Sequence, residues 1–302
     1  MTTPGDTLDE LATEAWNADD LDLDLRSTAE LVELMNAEDA SVPTAVAGAA
    51  DAIAAAIDAI AARLQSGGRL IYVGAGTSGR LAAVDAAECE STFSTQPGQV
   101  VALIAGGAAG SPLAQEAAED DVEAGRRELE ELTVSEVDAV VGVSASGRTP
   151  YVLGALDHAR SQGATTVGIV NVHGSELADV VEHEISVVVG AEILAGSTRL
   201  KAGTSQKLIL NMLSTIAMIR IGKTYGNLMV DVAATNEKLH ARVRRIVRHA
   251  TGESVQAIEA ALEASGGDAK VAIVSLLARV DSATARERLA ASGGVVRDAL
   301  NR

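Results

Sequence analysis

The sequence has 302 residues, enough for one large α/β domain with a small appendage or for two modest domains. Only 2% of the residues are aromatic whereas 47% are hydrophobic, so the core must be built from aliphatic side chains. The net charge of -18 argues against nucleic acid or an anionic membrane as a partner, because both need a basic surface. The single cysteine, Cys89, excludes a disulfide framework and a zinc site made of cysteines.

Residues 1–42 are acidic, and the N-terminal residues 1–16 lack the apolar core of a signal peptide. The most apolar stretch, residues 208–219, is interrupted by polar side chains and is too short to cross a bilayer. We therefore expect a soluble, cytoplasmic protein without a membrane partner.

Short apolar runs alternate with helical patterns through the middle of the chain. Strands are predicted at residues 70–73, 100–104, 137–143, 165–170 and 184–189, and helices at 43–64, from 80 onward, 112–131, 151–161, 206–221 and 233–249. Strands separated by helices of this length imply a parallel sheet with right-handed crossovers. The predicted organisation is a helical segment (1–42), a five-stranded parallel sheet sandwiched by helices (43–250) and a three-helix appendage (251–302).

The first loop, residues 74–79 (Gly-Ala-Gly-Thr-Ser-Gly), follows the first strand, and helical spacing begins at Arg80. A strand, a glycine-rich turn and a helix start form an anion site, because free N–H groups and the positive end of the helix dipole point at one place. Thr77 and Ser78 add hydroxyl donors. This pattern indicates a site for a phosphorylated small molecule, with the carboxylate of Glu88 one helix further along.

Taken alone, the glycine spacing of the first loop also matches a dinucleotide-binding fingerprint. That function needs an acidic residue after the second strand to hold a ribose, and residues 105–107 are Ala-Gly-Gly. The second loop, residues 144–150, repeats the Ser-Gly-Arg pattern after the third strand. Two such loops side by side favour a site in which both loops surround one phosphate group, although serine and glycine are also common in ordinary capped turns.

Glu88 and Glu119 are the candidates for acid–base chemistry. Carboxylates in a largely aliphatic cleft have raised pKa values and exchange protons near neutral pH. By position alone Glu88 is the stronger candidate, and Glu119 is one of several acidic residues on its predicted helix. Cys89 has no histidine partner close in sequence, and the five histidines lack metal-ligand spacing, so neither a cysteine nucleophile nor a metal is predicted.

The two loops resemble those of the sugar isomerase (SIS) domain. More narrowly, the chain resembles the N-acetylmuramic acid 6-phosphate etherase family in residues 85–89, 196–204, 227–231 and 236–239. The resemblance covers nearly the whole chain, from about Thr13 onward. Where the family often has serine at position 87 and Pro-Pro after the cysteine, this chain has Ala87 and Glu90-Ser91.

The resemblance implies cleavage of the lactyl ether of N-acetylmuramic acid 6-phosphate to N-acetylglucosamine 6-phosphate and D-lactate, without a cofactor or a metal. It assigns Glu88 as the proton donor to the departing lactate and Glu119 as the second catalytic carboxylate, acting as the base. It also implies a homodimer and a C-terminal piece like a ubiquitin-associated domain. It places the substrate on seven loop residues: Gly76, Thr77, Ser78, Ser144, Ser146, Gly147 and Thr149.

Two other functions stay open on the same fold. A sugar-phosphate sensor similar to the glucokinase regulatory protein would keep both loops but would need neither glutamate. An aldose–ketose isomerase would rearrange the sugar and release no lactate. The presence of both Glu88 and Glu119 favours the etherase over the sensor.

Overall fold

The computed structural model describes residues 13–15, 22–107, 112–232 and 237–302. The start of the predicted helix 233–249 and much of the predicted segment 1–42 lie outside these residues. The chain divides into two compact units, Met1–Ala86 with Gly98–Ser214, and Ala87–Pro97 with Thr215–Arg302. The second unit therefore contains residues 87–97 and 215–250 as well as the predicted appendage 251–302.

The first unit is built on a parallel sheet, and the predicted five-stranded arrangement is confirmed. Its strands are β1 Leu70–Gly74, β2 Val100–Ile104, β3 Ala139–Val143, β4 Thr165–Val170 and β5 His183–Ser186. They pair in the order β2-β1-β3-β4-β5, all parallel. Strands β1, β3 and β4 are buried at every position, as their continuous apolar sequences require for strands covered on both faces.

Two strands are shorter than the sequence predicts. The third begins at Ala139 instead of residue 137, because Asp138 closes a turn in which its backbone N–H donates to the Ser135 carbonyl. The Asp138 side chain accepts hydrogen bonds from the Arg69 backbone and guanidinium, which anchors the turn beside the start of β1. The fifth strand ends at Ser186 instead of residue 189.

Helices cover most of the remaining described chain. Their bounds are α1 Thr28–Asp39, α2 Val42–Gly48, α3 Ala50–Gln65, α4 Gly76–Phe93, α5 Pro112–Glu119, α6 Val122–Glu131, α7 Pro150–Ser161, α8 Lys201–Arg220, α9 Glu237–Thr251, α10 Val255–Ser265, α11 Ala269–Ala278, α12 Ser282–Ala291 and α13 Val296–Leu300. Two long predicted helices are each divided in two. The first breaks at Ala49, and the second breaks before Asp121, whose side chain caps α6 by accepting from the Ala124 N–H at 2.9 Å.

Helices α3 and α7 pack against the sheet, and α6 packs tightly on α7. A Cβ on Gly125 of α6 would lie 2.0 Å from the Tyr151 carbonyl oxygen, and one on Gly154 of α7 would lie 2.2 Å from the Val122 carbonyl oxygen. Only glycine permits this approach at both positions, so the two helices are in direct backbone contact. This contact fixes the chain that follows Glu119.

The second unit has its own aliphatic core, formed by Val230 and by residues of α9 to α13. It also holds a hairpin of β6 Thr224–Tyr225 and β7 Leu228–Met229. The appendage predicted as three helices contains α10, α11 and α12 and, in addition, the short helix α13. Asp231 forms ion pairs with Lys223 at 3.3 Å and with Lys270 at 2.6 Å.

Within the described ranges, no single helix is both long enough and apolar enough to span a membrane. One bent pair, Thr28–Gly48 with Ala50–Gln65, meets the criterion by length and composition when its two parts are taken together.

Candidate functional site

The strand order brings the two loops together. Strand β1 lies between β2 and β3, and Gly74 pairs with Val143 at the carboxyl ends of β1 and β3. After β1 the chain passes to β2 on one side of β1, whereas β3 lies on the other side, so the strand order reverses at β1. Ligands of open α/β sheets bind where the strand order reverses. A cavity of about 390 Å³ is lined by Thr13, Glu14, Ala75, Gly76, Thr77, Ser78, Arg80, Glu116, Glu119, Val143, Ser144, Ala145, Ser146, Thr149 and Thr198.

The cavity wall includes six of the seven predicted substrate-binding residues: Gly76, Thr77, Ser78, Ser144, Ser146 and Thr149. The seventh, Gly147, is not among the lining residues. It has φ of +65°, and a Cβ there would lie 2.4 Å from Ser175 Cβ. Its backbone N–H donates to Ser144 Oγ at 3.0 Å, so Gly147 stabilises the conformation of the second loop without lining the cavity.

The first loop is shorter than predicted, because α4 begins at Gly76 and not at Arg80. Gly79 packs on Gly74, and a Cβ on Gly79 would lie 2.6 Å from the Gly74 carbonyl oxygen. The Gly79 N–H donates to the Ala75 carbonyl at 3.0 Å, which starts the helical hydrogen bonding. Thr77 and Ser78 therefore belong to the first turn of α4, where backbone N–H groups lack intrahelical partners and favour an anion.

Ser144 contacts two other hydroxyl groups of the second loop. Its side chain is buried, and its Oγ lies 2.8 Å from Thr149 Oγ1 and 3.5 Å from Ser146 Oγ. Thr149 occupies the N-cap position of α7 and also donates to Glu119 Oε1 at 3.3 Å. Hydroxyl groups therefore form a connected chain from the loop to a carboxylate.

Glu119 is the last residue of α5, and its side chain is half-buried. Burial raises the pKa of the Glu119 carboxyl above its ordinary value, and repulsion from Asp120 and Glu116 acts in the same direction. The hydrogen bond from Thr149 opposes this rise. The sequence could not distinguish Glu119 from its acidic neighbours, because its burial and its hydrogen bond with Thr149 depend on packing between distant elements.

A buried amide network supports the first loop. Ser78 Oγ donates to Gln206 Oε1 at 2.9 Å, and Gln206 Nε2 donates to Asn171 Oδ1 at 3.0 Å. Asn171 Nδ2 donates in turn to the Val187 carbonyl at 2.8 Å and to Ser205 Oγ at 2.7 Å. Both amide side chains are buried, so the network joins the first loop to the end of β4 and to α8.

Sequence reasoning missed five polar side chains of the cavity wall, namely Thr13, Glu14, Arg80, Glu116 and Thr198. Thr198 lies in the stretch 196–204 that carries the family resemblance, which was a usable signal. Gln206 and Asn171 were missed as well. Asn171 follows an apolar run, where a buried amide needs a hydrogen-bond partner, and that requirement could have identified it. Gln206 stands between Ser205 and Lys207, and its local sequence gives no such signal.

Glu88 lies in the second compact unit, where its side chain is exposed, and Cys89 beside it is buried. All the residues that line the cavity belong to the first unit. Among the described residues, no group of three His, Cys, Asp or Glu side chains is arranged to hold a metal ion.

A five-stranded parallel sheet with two hydroxyl-rich loops at its reversal defines a SIS-domain protein. The family model described as the SIS domain matches residues 123–216. The model described as the N-terminal SIS domain of the glucokinase regulatory protein matches residues 52–160. A phosphoheptose isomerase structure from Francisella tularensis is 17% identical, with a TM-score of 0.49 over 64% of this chain and 100% of that one.

Relatives of similar length define the family more narrowly. The N-acetylmuramic acid 6-phosphate etherase of Rubrobacter xylanophilus is 58% identical over 97% of both chains. The protein of the same name from Streptomyces coelicolor is also 58% identical, over 97% of this chain and 94% of its own. The chain belongs to the N-acetylmuramic acid 6-phosphate etherase family.

Proposed function

We propose that the protein cleaves the D-lactyl ether of N-acetylmuramic acid 6-phosphate, giving N-acetylglucosamine 6-phosphate and D-lactate. The observation that carries this proposal is 58% identity, over 97% of the chain, to proteins named as this etherase. The site agrees in its chemistry, since it combines two hydroxyl-rich loops with a half-buried carboxylate. A cavity of about 390 Å³ is also of the size that small-molecule ligands occupy.

The reaction can be catalysed by proton transfers alone, which assist the breaking of the bond to lactate and the later addition of water. In the open-chain aldehyde, the proton on the carbon next to the carbonyl is acidic enough for a carboxylate base. Lactate then leaves from the adjacent carbon as a general acid protonates its oxygen, and water adds to the unsaturated aldehyde. Each acid–base role contributes typically ~10²–10⁴-fold to the rate, so two carboxylates can supply the chemistry.

The phosphate of the substrate is proposed to bind where the two loops meet. Ser78 lies in the first turn of α4, and Ser144 and Ser146 lie in the second loop directly before α7. Hydroxyl donors beside the starts of two helices suit an oxyanion. Thr149 joins this donor set to Glu119 and so links phosphate binding to the carboxylate.

Glu119 is proposed as the base that removes the acidic proton. Its raised pKa brings the carboxyl closer to neutral pH, where a base exchanges protons efficiently. Glu88 is proposed as the acid that protonates the departing lactate, and this role rests on the family resemblance alone. That the enzyme works as a homodimer in the cytoplasm stays a prediction from the sequence.

The first experiment measures D-lactate release from N-acetylmuramic acid 6-phosphate. We expect release by the wild type and its loss in Glu88→Ala and in Glu119→Ala. Glu90→Ala is the matched control, since Glu90 is an exposed glutamate on the same helix, and it should keep wild-type release. No release by the wild type would contradict the proposed reaction.

Solvent isotope exchange then assigns the two carboxylates. If Glu119 is the base, Glu119→Ala loses exchange of the substrate's acidic proton with solvent, whereas Glu88→Ala retains it. Exchange lost only in Glu88→Ala would reverse the assignment.

A sugar-phosphate sensor is the second candidate, favoured by the match of residues 52–160 to the SIS domain of the glucokinase regulatory protein. A sensor would bind a phosphosugar without releasing lactate. Calorimetry of N-acetylmuramic acid 6-phosphate binding to the wild type, run beside the lactate assay, separates the two functions. Binding without lactate release would favour the sensor.

A further inference from the structure

The short segment of residues 13–15 contributes to the cavity in a way that the proposed chemistry does not use. Thr13 and Glu14 line the cavity, as does Thr198. A Cβ built on Gly196 would lie 3.0 Å from Glu14 Oε2, and Gly196 has φ of +74°, which disfavours any side chain. The glycine therefore permits close contact between the segment and the stretch that carries Thr198.

The Thr13 side chain is 4% exposed, and its hydroxyl has no hydrogen-bond partner among the described residues. A buried hydroxyl without a partner costs free energy, because it has given up water and gained nothing in return. Native proteins contain few such groups. One that stands in the wall of a binding cavity has a direct explanation if the ligand supplies the missing partner.

Charge indicates which part of the ligand lies beside Thr13. A phosphate is repelled by the neighbouring Glu14 carboxylate and attracted by the hydroxyl and N–H donors of the two loops. Uncharged sugar hydroxyl and amide groups suit the segment instead, since Glu14 accepts hydrogen bonds from such donors. Thr13 can donate to a sugar oxygen that has a free lone pair.

We propose that Thr13 is a specificity-determining residue that donates a hydrogen bond from its hydroxyl to the sugar part of the ligand, and not to its phosphate. A turn about the Cα–Cβ bond between staggered positions carries the hydroxyl towards an entering ligand. This inference rests on the proposed phosphosugar site.

The test compares binding of N-acetylglucosamine 6-phosphate with binding of inorganic phosphate, both by calorimetry. Thr13→Val keeps the shape of the side chain and removes the hydroxyl, Thr13→Ala is a second hydroxyl-free variant, and Thr13→Ser restores the hydroxyl. Ser292→Ala is the matched control, because Ser292 carries the other buried, unpartnered hydroxyl among the described residues and lies in the second unit.

Thr13→Val and Thr13→Ala should bind the sugar phosphate about 3- to 10-fold more weakly and inorganic phosphate as the wild type does. Thr13→Ser should bind both as the wild type does. In the free protein, Thr13→Val and Ser292→Ala should each raise Tm, because each removes an unpaired polar group, but Ser292→Ala should leave binding unchanged.

Unchanged affinity for the sugar phosphate in both hydroxyl-free variants would overturn the role of Thr13. An equal loss for inorganic phosphate would also overturn it, since Thr13 would then bind the phosphate. In either case wild-type binding of the sugar phosphate leaves the proposed function standing. A wild type that binds neither probe would overturn both proposals together.

Discussion

Thr149 connects Ser144 to Glu119: its Oγ1 lies 2.8 Å from Ser144 Oγ and donates to Glu119 Oε1 at 3.3 Å. One hydroxyl therefore touches both the second loop and the half-buried carboxylate. Thr149 is also the N-cap residue of α7, but its side chain makes no cap hydrogen bond and contacts these two partners instead. A substitution of Thr149 should consequently change the pKa of Glu119.

Thr149→Val should shift the pH dependence of catalysis. The hydrogen bond from Thr149 lowers the pKa of Glu119 against the rise caused by burial, so its removal should raise that pKa further. A base must be ionised to act, and the acidic limb of kcat/KM for lactate release should therefore move to higher pH. Thr149→Ser, which keeps the hydroxyl, should retain the wild-type profile. An unmoved limb in Thr149→Val would remove Glu119 from the role of base.

Ser146→Ala should weaken substrate binding more than it slows turnover. The Ser146 hydroxyl lines the cavity beside Ser144 and is proposed to bind the phosphate, which does not react. A hydrogen bond to a charged group is worth about 1.5–3 kcal/mol, so KM should rise roughly 10- to 100-fold. Steady-state kinetics check this, with the exposed Ser161→Ala as control. A large fall in kcat at unchanged KM would count against the assignment.

Gln206→Leu should destabilise the protein and disturb the first loop. The substitution leaves Ser78 Oγ and the buried Asn171 amide without the partners that Gln206 provides. Each unsatisfied buried group costs roughly 1–3 kcal/mol in the free energy of unfolding. Denaturant unfolding measures the loss, and the exposed Gln162→Leu should show almost none. Equal stability of the two variants would mean that the network contributes little.

Asp138→Asn should be destabilising by up to about 3 kcal/mol at neutral pH, because it breaks a largely buried pair with Arg69. Burial opposes ionisation of Asp138, but hydrogen bonds from Arg69 and from the Ser135 N–H outweigh it and hold the pKa of the carboxyl below its ordinary value. Stability from a lowered pKa is present above the unfolded value of about 3.9 and is lost as pH falls through the folded value.

The difference in unfolding free energy between wild type and Asp138→Asn should thus be constant above about pH 5 and shrink at lower pH. Unfolding by denaturant at several pH values checks this, with Glu130→Gln as the comparison, since the Arg126–Glu130 pair is exposed and should contribute little. A difference that stays constant down to pH 2 would show that the charge of Asp138 is not what stabilises the turn.

The sequence by itself determined the parallel sheet, the two loops and the family. Apolar runs of five or six residues predict the buried strands, and a glycine-rich turn before a helix predicts an anion site. Both patterns can be recognised in a short stretch of sequence. These features depend on neighbouring residues, and the structure differs only at their ends, as where α4 begins at Gly76.

Only the tertiary structure decided which side chains share the cavity. Glu119 lines the cavity at the end of α5 and meets Thr149, and Thr13 lines it beside Glu14, whose side chain approaches Gly196. The link from Ser78 through Gln206 to Asn171 joins residues more than thirty positions apart in sequence. Such contacts arise from packing between elements that are distant in sequence, so local residue patterns do not predict them.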